Sequence, residues 1–132
     1  MTIHRLEPAK QFVTRIILLN RFHAPDEEDY DEAGHKLGSI HRNFPDAAVH
    51  DQAAYLIAAI SAAKPFVEAN FRTAFDYTAD MLAHEGYQLE WTLPQQQELG
   101  HAVWDLITEE GEEAARAYVA DWCKPRVLHV GK

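Results

Sequence analysis

The segment of this chain best equipped for chemistry is Lys64-Pro65-Phe66-Val67-Glu68-Ala69-Asn70-Phe71-Arg72-Thr73-Ala74. Pro65 disfavours helical geometry at the residue before it, and a helix-forming stretch begins near Asn70. The segment therefore reads as a short loop feeding a helix N-terminus. The first turn of a helix exposes unpaired N–H groups and carries a partial positive charge. Arg72 adds a planar, forked cation suited to phosphate oxygens. Asn70 can cap the helix or fix the loop. Glu68 sets a carboxylate beside this anion site, and a carboxylate next to bound phosphates is a natural seat for Mg2+. Phe66 is expected to plug the core and anchor the loop. Together these residues describe an anion pocket with a metal-binding acid at its rim. The same residue types also serve ordinary helix capping, so the pattern of the loop leaves both readings open.

Two helices must hold this loop. Upstream, residues 46–63 (DAAVHDQAAYLIAAISAA) are rich in alanine, the best helix former, and their second half carries no charge. A helix that apolar is expected to be buried on most sides. Downstream, residues 70–84 place Phe71, Ala74, Phe75, Thr78 and Leu82 on one face, and Gly86 is a natural stop. Around this pair, residues 8–22 open with Pro at a helix start and put Phe12, Ile16, Leu19 and Phe22 on a common face. Residues 31–44 predict a short helix closed before Pro45. Tyr87–Leu93 alternates weakly and reads as extended, but one such stretch does not make a sheet. Pro94 opens a helix carrying Leu99, Ala102, Val103, Leu106 and Ile107, and Gly111 breaks it. A last helix, 112–123, carries Ala115, Tyr118, Val119 and Trp122. The fold class expected is all-α, a compact single-domain bundle of about six helices over residues 1–132, with a central helix–loop–helix.

Bulk properties narrow the function classes. The chain has 132 residues, 47% of them apolar, which suits one domain with one core. No apolar run is long enough to span a bilayer, and MTIHRLEPAK shows no secretory hydrophobic stretch, so a cytoplasmic location is expected. The net charge of −9 argues against non-specific nucleic-acid binding, which needs a cationic footprint. One cysteine, Cys123, excludes an internal disulfide and a cysteine-rich metal site; it reads as a small, partly buried thiol. Residues 24–34 carry six acids, which suit either a solvated lead-in to a helix N-terminus or a docking loop for a partner or substrate.

The order of residues in the loop resembles the active-site motif of the Fic/Doc family, H-x-F-x-[D/E]-[G/A]-N-x-R, with Thr-Ala following in the Doc branch. Phe66, Glu68, Ala69, Asn70, Arg72, Thr73 and Ala74 all match. Ala53-Ala54-Tyr55-Leu56 before the motif and His84-Glu85-Gly86-Tyr87 after it extend the resemblance over residues 50–92. The resemblance implies transfer of a phosphorus-containing group from a nucleotide to a protein hydroxyl. Most members move AMP. The Doc branch moves the terminal phosphate of ATP, acts as a toxin against a translation component, and is neutralised by a partner antitoxin. Ala69, Thr73-Ala74 and the small size look more like Doc. By resemblance, Glu68 would hold Mg2+, Asn70 and Arg72 would grip the phosphates of ATP, and the backbone at Ala69, Asn70, Phe71 and Arg72 would complete the anion hole.

Two departures fall on chemistry positions. The family's general base is the first His of the motif, and here it is Lys64. An imidazole takes a proton near neutral pH, whereas an ordinary lysine, with a pKa of about 10.4, is already protonated there. Lys64 could act as base only if burial disfavoured its charge. It could instead stabilise the C-terminus of the preceding helix, or bind nucleotide without activating a hydroxyl. The second departure is Phe71, where the family carries Gly or Lys; it is expected to face the core with Ala74 and Phe75 and to leave a smaller or differently filled anion hole. No other histidine offers a rescue by spacing. His35 and His41 are six apart, His41 and His50 could approach the loop in space, and His4, His23, His84, His101 and His129 form no ligand spacing. The autoinhibitory Ser/Thr-x-x-x-Glu-Gly/Asn motif of some Fic proteins is absent, since Met81 and Leu106 stand at its first position. The expected function is a Doc-like toxin or transferase, impaired by Lys64; the alternatives are a non-catalytic Fic/Doc-fold domain binding a nucleotide or a protein, and a plain helical interaction domain.

Overall fold

A computed structural model describes residues 2–3, 5–27 and 30–131. Among them are α1 (Ala9–His23), α2 (Asp31–Arg42), α3 (Val49–Ala63), α4 (Asn70–His84), β1 (Tyr87–Leu89), α5 (Leu93–Glu109), α6 (Glu112–Cys123) and β2 (Val127–His129). The fold is all-α apart from a two-stranded ribbon. His4 lies outside the described residues, as do Glu28 and Asp29 of the acidic segment.

The order of elements follows from burial. Ala53 to Ile60 of α3 are all buried, because alanine at successive positions lets neighbouring backbones approach from every side. Helix α3 packs against α6, α4 and, more lightly, α2 and α5. Helix α4 is clasped between α3 and α1, which fixes the point where the loop from α3 enters it. Tyr55 Oη donates to Ile40 O at 2.7 Å, tying α3 to α2. The buried Gln52 side chain accepts from Ile3 N–H and donates to Ile3 O, each at 2.7 Å. It thereby stitches the N-terminal segment onto α3.

Local signals explain the helix ends. Thr92 and Gln95 form a reciprocal capping box at the start of α5, with Pro94 inside the first turn. Gly86, at φ 84°, ends α4 in a conformation that favours glycine. The chain then enters β1, which pairs antiparallel with β2 in the register Tyr87↔His129 and Leu89↔Val127. Tyr87–Leu93 is thus extended only as far as Leu89. Its partner strand has no distinguishing pattern in the sequence, being three half-exposed residues.

Two expected core positions are corrected. Phe22 is 84% exposed, and Asn20 takes the buried place one turn after Ile16. Tyr118 of α6 is 45% exposed, and Cys123 is buried there instead. Burial pushes the Cys123 thiol up to about 12, with Arg126 opposing. The thiol is therefore fully, not partly, buried. No helix among the described residues is long and apolar enough to cross a membrane.

Candidate functional site

The α3–α4 loop is bracketed by two non-glycine residues in the left-handed region, Lys64 at φ 49° and Ala69 at φ 61°. Each such residue costs about 1–2 kcal/mol, so the surrounding contacts must hold the loop in shape. Lys64 N–H closes α3 onto Ile60 O at 3.1 Å. The last carbonyls of α3 are met by Lys36, whose Nζ donates to Ala63 O at 2.9 Å. Lys36, not Lys64, supplies the cation at this helix C-terminus.

Inside the loop, Asn70 resolves its two sequence roles in favour of fixing the loop. Its Oδ1 accepts from Phe66 N–H at 3.0 Å and its Nδ2 donates to Phe66 O at 2.9 Å. Phe66 is buried as expected, with Tyr30 edge-on at 6.1 Å. Asn20 of α1 reaches across and donates to Glu68 O at 2.9 Å and to Thr73 Oγ1 at 3.3 Å. Sequence reasoning missed Asn20, although steps of four from Phe12 to Ile16 to Asn20 mark a polar residue on the buried stripe. Glu27 Oε1 accepts from Val67 N–H at 3.0 Å; a contact forty residues apart carries no sequence signal.

What remains open faces one cavity of about 390 Å3. Among the described residues, no protein acceptor meets the N–H groups of Glu68, Ala69, Asn70, Phe71 or Arg72. Only at Thr73 does the helical ladder begin, with its N–H on Ala69 O. Arg72 and Glu68 are exposed, and among the described residues their charged heads have no protein partner. Ser61 lines the same cavity, is 8% exposed, and its Oγ has no partner. A buried hydroxyl left this way costs about 1–3 kcal/mol, which a bound polar ligand would offset.

Lys64 points its Nζ 4.5 Å from the Trp104 ring centroid on the opposite wall. This is a cation–π geometry. Phe71 is half-buried, packs at 5.9 Å on Phe75, and lines the cavity. A Cβ on Gly100 would meet its ring at 3.0 Å, so the absence of a side chain at Gly100 makes room for the Phe71 ring. Of the expected site residues, Lys64, Glu68, Ala69, Asn70, Phe71 and Arg72 all line this one cavity.

The donor set fits a phosphate ester with Mg2+ and does not fit a metal held by protein alone. Among the described residues no three His, Cys, Asp or Glu side chains converge as a metal site. Mg2+ is commonly bound by one carboxylate together with phosphate oxygens and water, which Glu68 could satisfy.

The other histidines separate. His41 contacts Glu7 O at 2.6 Å and packs edge-on against Phe12, and His50 sits 3.8 Å from Asp51; neither lines the loop cavity. His23, the last residue of α1, does approach the loop. Its Nε2 is 2.5 Å from Asp76 Oδ2, and it lines a second cavity shared with Val67 and Glu68. Comparison of the chain with protein-family models, with curated proteins and with solved structures found no match in any of the three.

Proposed function

We propose that this chain is a Fic/Doc-like domain that holds the phosphates of ATP at the N-terminus of α4 and passes a phosphate or AMP group to a protein hydroxyl. The observation that carries this reading is the set of open N–H groups from Glu68 to Arg72, facing a cavity with an unpartnered buried Ser61 hydroxyl and an unpaired Arg72 guanidinium. Aligned N–H donors and a guanidinium are the groups that bind phosphate oxygens best. Glu68 would hold Mg2+ against those oxygens, and the ion would neutralise charge on the transferred group. Ala69 and Thr73-Ala74 favour the Doc-like branch, with the terminal phosphate transferred, a translation component as target, and an antitoxin as partner in trans. The Lys64 ammonium, placed over Trp104, serves the donor nucleotide and not proton removal.

A second reading, a nucleotide binder without transfer, is favoured by that same placement of Lys64. Calorimetry with ATP and Mg2+ tests the shared part. Arg72→Ala is expected to weaken binding roughly tenfold to a hundredfold while leaving the unfolding midpoint in place. Absence of binding by the wild-type chain would remove both readings. Labelled ATP with a cell lysate, run beside Lys64→His, separates them: transfer by the wild-type chain supports the transferase, and binding with transfer by neither chain supports the binder. Transfer by the His variant alone points to a scaffold lacking its base.

A further inference from the structure

Two cavities flank the same two residues, Val67 and Glu68. One is the donor cavity described above, with Lys64 and Arg72 on its walls. The other, of about 570 Å3, lies between the end of α1 and the loop and is lined by His23, Pro25, Asp26, Glu27, Val67 and Glu68. Its side chains are of opposite character: three carboxylates and one imidazole.

Resting on the proposed transferase reading, we infer that this second cavity receives the acceptor hydroxyl and that His23, oriented by Asp76, is the general base that the motif lacks at Lys64. The Asp76 carboxylate can only accept, so the proton of the neutral imidazole sits on Nε2 and the lone pair on Nδ1. Nδ1 has no protein partner among the described residues. His23 is held on a rigid element rather than a free loop: it ends α1, Asn20 one turn earlier is bonded to Glu68 O and Thr73, and its ring is 13% exposed. The titratable groups facing it are Asp76 from α4, Asp26 and Glu27 from the α1–α2 connection, and Glu68 from the loop. Of these, Asp76 is in contact with the ring and fixes its orientation and tautomer, as the carboxylate of a catalytic triad does.

The step balances. The acceptor O–H proton passes to His23 Nδ1. The freed oxygen electron pair forms a bond to the phosphorus of the nucleotide. The bond from that phosphorus to its leaving oxygen breaks, and its electron pair leaves with ADP for phosphate transfer, or with diphosphate for AMP transfer. The imidazolium then returns its proton to solvent or to the departing phosphate.

The experiment uses the full chain with Mg2+ and ATP labelled on the α- or the γ-phosphate, with a cell lysate supplying acceptors. His23→Gln is expected to lower transfer roughly a hundredfold or more while ATP affinity by calorimetry stays within about threefold. Asp76→Asn is expected to lower transfer less and to alter the acidic limb of the pH profile, because an amide no longer selects one tautomer. Imidazole added to the buffer is expected to restore transfer by His23→Ala, an effect a structural histidine would not show. Transfer unchanged in His23→Gln overturns the inference, as does loss without imidazole rescue, and as does ATP binding with no transfer by the wild-type chain. Failure of the wild-type chain to bind ATP is the distinct result that removes the underlying reading.

Discussion

The two ends of α4 carry polar clusters beside cavities, and they differ in how those clusters are satisfied. At the C-terminal half, the Tyr77 hydroxyl donates to Glu7 at 2.5 Å, Arg15 meets Glu7 at 2.9 Å, and Arg15 lies 3.6 Å from Asp80. This cluster borders the larger cavity, about 900 Å3, yet these groups already have protein partners. At the N-terminal end the cavity is less than half that size, and its N–H groups, guanidinium and buried hydroxyl have none among the described residues. Groups paired within the chain hold α1 to α4. Groups left unpaired at a fixed position stay available to a ligand, and for the buried Ser61 hydroxyl a ligand would offset the cost of burial. Cavity volume and the satisfaction of polar groups thus point to opposite ends of α4.

That contrast can be broken from either end. The largest effect is expected from Phe66→Ala, which removes the buried ring under the loop. It should cost about 3–5 kcal/mol in urea unfolding, and should weaken ATP binding as well, since the loop loses its anchor. A stability loss with unchanged ATP affinity would show that the loop is shaped by Asn70 and Asn20 alone.

Tyr77→Phe should cost about 1–3 kcal/mol by leaving Glu7 without one donor, with no change in ATP affinity. Its pH dependence sharpens the point. Burial first, and then the bond to Glu7, raise the Tyr77 pKa above the ordinary tyrosine value. Above about pH 10 the unfolded chain releases this proton while the native chain keeps it. The native state binds more protons there, so wild-type stability falls as pH rises through that range. The Phe variant should show a shallower alkaline loss. An equal slope in both would mean that other groups, such as the raised Tyr55 or Cys123, account for it.

The smallest effect is expected from Ala69→Gly. Glycine meets no Cβ penalty in the left-handed region, so this variant should gain about 0.5–1 kcal/mol in the same unfolding experiment. A loss instead would mean that the Ala69 methyl packs usefully at the start of α4.

Much of this arrangement was legible from residue order. The helix-breaking Pro65, the alanine-rich run before it and the amphipathic run after Asn70 are local signals, and the α3–loop–α4 hairpin appears where they place it. The buried ring at Phe66 and the packing of Phe71 on Phe75 were likewise readable, although Gly100, which makes room for the Phe71 ring, was not. Lys64 could be excluded from easy proton removal on its chemistry, but its ring partner Trp104 lies on another helix. His23 was set aside because it has no histidine neighbour at a ligand spacing. Its partner is a carboxylate fifty-three residues away, and no periodicity in a single chain marks such a pair.

By itself, then, the sequence determined which residues form helices, where the central hairpin turns, and which side chains stand at the loop, because propensity, proline geometry and apolar spacing act over a few neighbours. Tertiary structure alone decided which of the loop's polar groups are consumed by Asn70, Asn20 and Glu27 and which stay open, that β1 finds β2, and that His23 meets Asp76 beside Glu68. Those outcomes depend on how α1, α4 and α5 are brought together by burial of one shared core, and hydrogen bonds formed across that core are set by three-dimensional distance, to which residue spacing along the chain is blind.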